Sequence, residues 1–232
     1  VSVPYFIFNN QHSLIDYDCI IENELHEVSA EERVEVIKIT GRNGSLHRSY
    51  GDYDSFTYEI KDITIPCDRL DDVRGWLRGS GDLILHTDKD KCRKARVLMG
   101  APFQYENEWG VFYTFSVSFE CQPFRYKVVD PVIDLETGVN RLFDAGTESA
   151  KPVFYIESLG GDLVFVINGD TFSLMNTKAG FITLDSELGQ AIFDGAIVKS
   201  KGKYPQLQPG LNEIEVNGAF KRVSLQKRSV WY

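Results

Sequence analysis

Four histidines, four cysteines and 34 acids are the material for chemistry in this 232-residue chain. Their spacing decides how much of it is usable. Nucleophilic catalysis needs a base held beside a nucleophile. His12, His26, His47 and His86 come with no local nucleophile motif, and each reads as a surface or strand-edge residue. Cys19, Cys67, Cys92 and Cys121 form no C-x-x-C pair, and a chain of this size does not need disulfide staples, so they are expected to be reduced thiols. For metal, the closest runs are "DKDK" at 88–91 and "DSE" at 185–187; neither reproduces the D-x-[DN]-x-[DN]-G calcium loop, and both read as solvated turns. A glycosidase-type carboxylate pair can be drawn from distant strands in any protein with this many acids, so its candidates carry no information. The glycine-rich "GRNGS" at 41–45 lacks both G-x-x-x-x-G-K-[ST] and G-x-G-x-x-G, and no helix follows to aim a dipole at a phosphate. No catalytic, cofactor-binding or metal-binding residue is assigned, and an enzyme is not expected.

The elements around these residues are mostly β. "VFYTFSVSFEC" alternates, with Val111, Tyr113, Phe115, Val117, Phe119 and Cys121 on one face and polar residues mainly on the other. "KARVLMGAPFQY" precedes it and is joined to it by "ENEWG", which predicts a hairpin. "RVEVIKIT" and "SFTYEIKDITI" are strand-like but slip phase at Val36-Ile37 and at Asp62, which predicts bulges. One segment reads as a helix: acids follow Pro66, and Leu70, Val73, Trp76 and Leu77 form an apolar stripe before Gly79. Trp76 is expected to anchor that short helix to a sheet. The opening "VSVPYFIFNN" lacks a basic flank and a small-residue cleavage site, so it reads as a first strand; neither export nor a membrane span is expected.

A boundary is expected near residue 130, where turn formers interrupt the alternation. Beyond it, short strands recur with turns between them at Gly160-Gly161, Asn168-Gly169-Asp170 and Gly218, the pattern of an antiparallel sandwich. The fold class is therefore mainly β, with two sandwich-type domains at 1–130 and 131–232, the first carrying one short α-helix. Net charge is −9, which argues against duplex binding because phosphate neutralisation needs a basic surface. The acidity is uneven: residues 1–130 hold 22 acids against 15 bases, and residues 131–232 hold 12 against 10.

Asn43-Gly44 is a type I′ hairpin signal between a run ending at Thr40 and one resuming near Leu46. Arg42 and, from the flank "LHRSYGDYDSF", Arg48, Tyr50, Tyr53 and Phe56 lie near the tip, and Arg with Tyr is the composition of interface anchors. From the residues alone, two readings stand open: a hairpin on the chain's own sheet, or an arm that reaches for another chain.

The order "GRNGSL", "FTYEI", "DDVRGWLRGSGDLIL" and "FSVSFECQPFRY" resembles the N-terminal domain of the distal tail (Dit) proteins of long-tailed, non-contractile bacteriophages. "KPVFYI", "FVINGDTFSL", "GFITLDSE" and "YPQLQPGLNEIEVNG" resemble the galectin-like C-terminal domain of the same family. The ending, "QKRSVWY" at 226–232, departs from the Pro-Arg-Trp-Arg-like closing strand of many members. The resemblance implies a protein of the phage or prophage tail tip, made in the host bacterial cytoplasm, that forms a homo-hexameric ring. It implies contacts with the tail-tube protein and with a tail-associated lysin or tail fibre protein, receptor-binding proteins docked on the second domain, and DNA passing through the lumen without specific binding. It also implies a protruding belt hairpin, so that Thr40, Gly41, Arg42, Asn43, Gly44, Ser45 and Leu46 would form an oligomer interface. A carbohydrate-binding module is the competing reading for the second domain.

Overall fold

The computed structural model describes residues 3–98, 100, 104–105 and 110–232. The chain divides into two compact units, Val1–Val128 with Tyr232, and Val129–Trp231.

The first unit is built on an antiparallel sheet. Its strands are β1 (Phe6–Phe8), β2 (Gln11–His12), β3 (Ile20–Ile21), β6 (Phe56–Pro66), β7 (Ser80–Leu85), β8 (Lys91–Leu98), β9 (Gln104–Tyr105) and β10 (Phe112–Lys127). They run in the order β2-β1-β7-β8-β10-β6-β3, with β9 also on β10. The alternation of β10 is realised: Phe115, Val117, Phe119 and Cys121 are buried while the residues between them are half-exposed. The expected hairpin partner also pairs with β10, through Ala95↔Cys121 in β8 and Tyr105↔Tyr113 in β9. Residues 106–109 of the connecting "ENEWG" lie outside the described residues. The expected slip at Asp62 is a bulge: pairing jumps from Ile63↔Phe115 to Ile60↔Val117, and Asp62 takes φ +55°.

The helix lies at α2 (Leu70–Trp76), entered through a 3-10 turn at Cys67–Arg69. Val73, Trp76 and Leu77 are buried, as their spacing requires. The Trp76 indole stacks on Phe6 at 5.2 Å and on Tyr17 at 4.3 Å, and its Nε1–H donates to the Phe8 carbonyl at 2.9 Å. That single side chain joins the helix to the sheet and to a second helical turn, α1 (Ser13–Tyr17). The additional turn has an unusual cap. The Nδ1 of His12 accepts hydrogen bonds from the backbone N–H groups of Leu14 and Ile15, each at 3.2 Å.

The second unit contains β11 (Val132–Leu135), β12 (Gly138–Asp144), β13 (Val153–Ile167), β14 (Asp170–Asp185), β15 (Gln190–Phe193), β16 (Ala196–Ile197), β17 (Ser200–Gly202) and β18 (Gly210–Gln226). Its strand order is β11-β18-β13-β14-β15-β16, with β12 also on β18 and β17 also on β14. Here the reading of many short strands is corrected: three long strands each span two of the expected ones. Gly160-Gly161 and Gly218 are not turns between strands. They are bends inside continuous strands, with φ values of +102°, +91° and +128°, and register shifts occur between Ser158 and Leu163.

At these bends the sheet folds over. The first half of β13 pairs with the second halves of β14 and β18, and its second half pairs with their first halves. Phe154, Ile156, Leu184, Val223 and Leu225 from one set, with Leu163, Phe165, Phe172, Leu174 and Val216 from the other, are all essentially inaccessible. Gly218 is required at its bend, because a Cβ there would lie 2.5 Å from the Asp162 carbonyl oxygen. Asn168-Gly169, by contrast, is a true two-residue hairpin between Ile167 and Asp170, with positive φ at both residues as a type I′ turn demands.

Candidate functional site

Two strands of the first unit stand apart from its sheet. Among the described residues β4 (Glu32–Ile37) and β5 (Leu46–Tyr53) pair only with each other, as a separate two-stranded sheet. Every residue from Glu32 to Val36 and from Leu46 to Gly51 is exposed or nearly so. The reading as a hairpin within the main sheet is thereby set aside. The segment projects as a ribbon.

An isolated hairpin is marginal in water, so cross-strand pairs must hold this one together. Across the strands the Tyr50 hydroxyl donates to Glu35 at 2.7 Å and Ser49 hydrogen-bonds Glu32, while along β5 the Arg48 guanidinium lies 4.9 Å over the Tyr50 ring. At the root, Arg33 donates to Asp54 through Nε and Nη2 at 3.1 and 2.9 Å and pairs with Asp52 at 3.0 Å. The bond to Asp54, with Asp52 alongside, pushes the Arg33 pKa up, and the bond to Glu35 pushes the Tyr50 phenol up.

The tip differs from the turn read in the sequence. Pairing ends at Ile37↔Leu46, so residues 38–45 form an eight-residue loop. Its tight turn is at Thr40-Gly41, closed by the Arg42 N–H on the Ile39 carbonyl at 3.2 Å, with Gly41 at φ +83°. Glycine at the third position of such a turn meets the positive-φ requirement of a type II geometry. Gly44 is also left-handed at φ +82°, but Asn43 keeps a negative φ, so Asn43-Gly44 is not a type I′ turn. Nor does a bulge lie at Val36-Ile37, which pair regularly with His47 and Leu46. The irregularity falls between Glu32 and Val34, opposite Gly51 at φ +73°. On a ribbon wet on both faces no core enforces alternation, so two successive apolar residues imply no break.

Thr40, Gly41, Arg42, Asn43, Gly44, Ser45 and Leu46 thus sit together at the far end of the ribbon. Around them the side chains are apolar and basic. Val36, Ile39, Leu46 and Tyr50 are 53%, 44%, 43% and 55% exposed. From Val36 to Tyr50 the charged residues are Lys38, Arg42 and Arg48, with no acid, inside a unit that is otherwise acidic.

The remaining candidates scatter. His12 caps a helical turn, the His86 ring is buried against Glu24 at 2.8 Å, and His47 lies on the ribbon. Three of the four thiols are buried, and Cys67 is exposed. "DKDK" is only partly a solvated turn: Asp88 is largely buried, bonded to Lys91 at 2.9 Å and to Arg125 at 2.7 Å. Asp185 of "DSE" accepts from the backbone of Glu187 and Leu188 and pairs with Arg228, contacts that outweigh its burial and hold its pKa low. Among the described residues no group of three or more His, Cys, Asp or Glu is placed to hold a metal ion.

In the second unit Phe165 and Phe172 are core, whereas Tyr155 and Phe181 are 41% and 76% exposed. They occupy the outer face of the bent sheet. Tyr155, Thr183, Ile192 and Ile197 follow one another across four strands there, with Phe181 one step along.

No protein-family model matches the chain, and no curated protein matches it. Among solved structures it is similar to the crystal structure of SPP1 Dit (gp 19.1), described as a paradigm of hub adsorption apparatus in phages that infect Gram-positive bacteria. The two chains share 13% sequence identity with a TM-score of 0.73, over 97% of this chain and 99% of that one. Over nearly its whole length the chain has the fold of a Dit protein.

Proposed function

We propose that this chain is a structural hub of a bacteriophage tail tip, without a catalytic step of its own. Six copies close into a ring that joins the tail tube on one side to a tail-associated lysin or central fibre protein on the other. The observation that carries this reading is the ribbon: a two-stranded sheet with both faces in solvent and four large apolar or aromatic side chains left uncovered toward its tip. A cyclic ring needs a head-to-tail contact in which one surface donates an element and a different one accepts it. The ribbon is the donor, and its basic tip suits an acceptor on the acidic first unit of the next copy. DNA passes through the lumen without specific binding, a reading supported by the excess of acids over bases in residues 1–130, which disfavours contact with phosphate. The galectin-like second unit faces adsorption proteins, and the outward row of Tyr155, Phe181, Ile192 and Ile197 supports docking there.

Negative-stain images of concentrated protein test the proposal. Six-fold annuli are expected, and single particles of one chain at every concentration would overturn it. The exposed rings of Tyr155 and Phe181 favour a second reading for this unit, sugar binding by aromatic stacking. Specific retention on a glycan array by intact protein, lost in Phe181→Ala, would rank that reading first.

A further inference from the structure

The ribbon leaves the body through a short root, and one buried cation touches both of its sides. Arg93, on β8, is 7% exposed. Its Nη2 donates to the carbonyl of Val28 at 2.7 Å, four residues before the ribbon begins. Its guanidinium lies 5.0 Å over the ring of Phe56, three residues after the ribbon ends. The remaining direction is taken by the Pro123 carbonyl, which accepts from Nη1 at 2.9 Å, and Glu27 stands 3.5 Å from Nη2. A fully charged group is costly to bury unless every donor is engaged, and burial does pull the Arg93 pKa down, with Glu27 opposing it. An apolar residue would fill the same place with less cost, so the cation is better explained by what it holds.

A second residue repeats the arrangement. Tyr232 belongs to the first unit. Its hydroxyl donates to the Ala30 carbonyl at 2.5 Å, and its ring packs 4.8 Å from Tyr53, the last residue of the ribbon. Tyr53 in turn meets Phe124 edge-on at 5.4 Å. Arg125 links the two grips, donating to the Tyr232 carbonyl at 3.0 Å, pairing with Asp88 at 2.7 Å and standing 3.6 Å from Glu27.

We infer that Arg93 and Tyr232 are positioning residues that fix the direction in which the ribbon projects, so that its tip is presented to a second copy already aimed. The inference rests on the reading of the ribbon as an assembly arm. Its own content is mechanical: with the root held on both sides, the ribbon points one way before any partner arrives, and the cost of ordering it on association falls.

The test is a pair of nitroxide labels in a Cys67→Ser background, one at Ser45→Cys on the tip and one at Lys94→Cys on the body, read by pulsed electron paramagnetic resonance in dilute protein. The wild-type root should give a single narrow distance. Arg93→Met and, separately, Tyr232→Phe should replace it with a broad distribution, and Arg93→Lys should restore part of the narrow component. Thermal unfolding of each variant identifies any that fails to fold, and Tyr232→Phe keeps the ring packing should Arg93→Met prove unstable. A distribution as narrow in both folded variants as in wild type would overturn the inference. If only about a tenth of freed arms point correctly, the midpoint for assembly should rise about tenfold. Protein that never assembles, yet shows the narrow distance lost in the variants, would sink the ring and leave the positioning role standing.

Discussion

Replacing Val36, Ile39 and Leu46 together by threonine separates a ribbon that serves another chain from one that serves its own. These side chains are 53%, 44% and 43% exposed, so about half of each remains to be buried by a partner. Full burial of such a side chain is worth about 1.5–3 kcal/mol, which leaves about 0.7–1.5 kcal/mol apiece and about 2–4 kcal/mol per ribbon. That corresponds to a weakening of each inter-subunit contact between about 30-fold and about 700-fold. Within one chain the same substitutions touch no core and place β-branched threonine at the two strand positions, 36 and 46, so stability should move by no more than about 0.5 kcal/mol and the melting temperature by about 1–2 °C. Sedimentation velocity over a concentration series reads the first quantity and differential scanning calorimetry the second. Assembly at the wild-type midpoint would refute the burial of this face between copies. A drop of many degrees in melting temperature would instead mean that the ribbon packs on its own body.

Other outcomes follow from the two cores and the thiols. Trp76→Ala removes both ring stacks and the bond to the Phe8 carbonyl, and should cost about 3–5 kcal/mol in denaturant unfolding. Gly218→Ala, forced to keep φ +128° against the Asp162 carbonyl, should lose about 2 kcal/mol and lower the melting temperature by about 4–8 °C. Burial pushes the Cys19 thiol up to about 12 and Cys121 up to about 11, and raises Cys92 as well. A thiol-specific chromogenic reagent at neutral pH should therefore titrate Cys67 alone in native protein and all four cysteines after denaturation. Because the folded state holds those thiols neutral, their contribution to stability is intact below the ordinary thiol value of 9.0 and is lost as pH rises from there through about 12. Denaturant midpoints should fall across that window, and a midpoint independent of pH would contradict the burial.

What the sequence made legible is what local patterning controls. The stripe from Leu70 to Leu77 could pack on only one side, and the alternation of β10 could bury only one face. Two kinds of feature were hidden. The first is the meaning of a glycine, which depends on what surrounds it. Asn168-Gly169 is the tight hairpin that its dipeptide announces, while the same dipeptide at Asn43-Gly44 sits in a wider loop because the turn closes at Gly41 instead. Gly160-Gly161 reads as a break between strands, yet the ladder continues on both sides and the glycines only bend it. The second is contact between residues far apart in the chain. No spacing announces that Arg93 will meet Val28, Phe56 and Pro123, or that Tyr232 will reach Ala30. The exposed ribbon itself was half visible. Its polar and aromatic flank suggested an interface, but only the separation of β4 and β5 from the main sheet distinguishes an arm from an ordinary hairpin.

Native mass spectrometry of the intact chain, alongside a variant whose residues 38–45 are replaced by a short Asn-Gly turn, tests the central claim most directly. The wild-type protein should show a species of six times the 26.4 kDa chain mass that grows with concentration, and the shortened variant should remain a single chain. Six-copy particles that form equally well without the tip, or a wild-type chain that stays single throughout, would contradict the account.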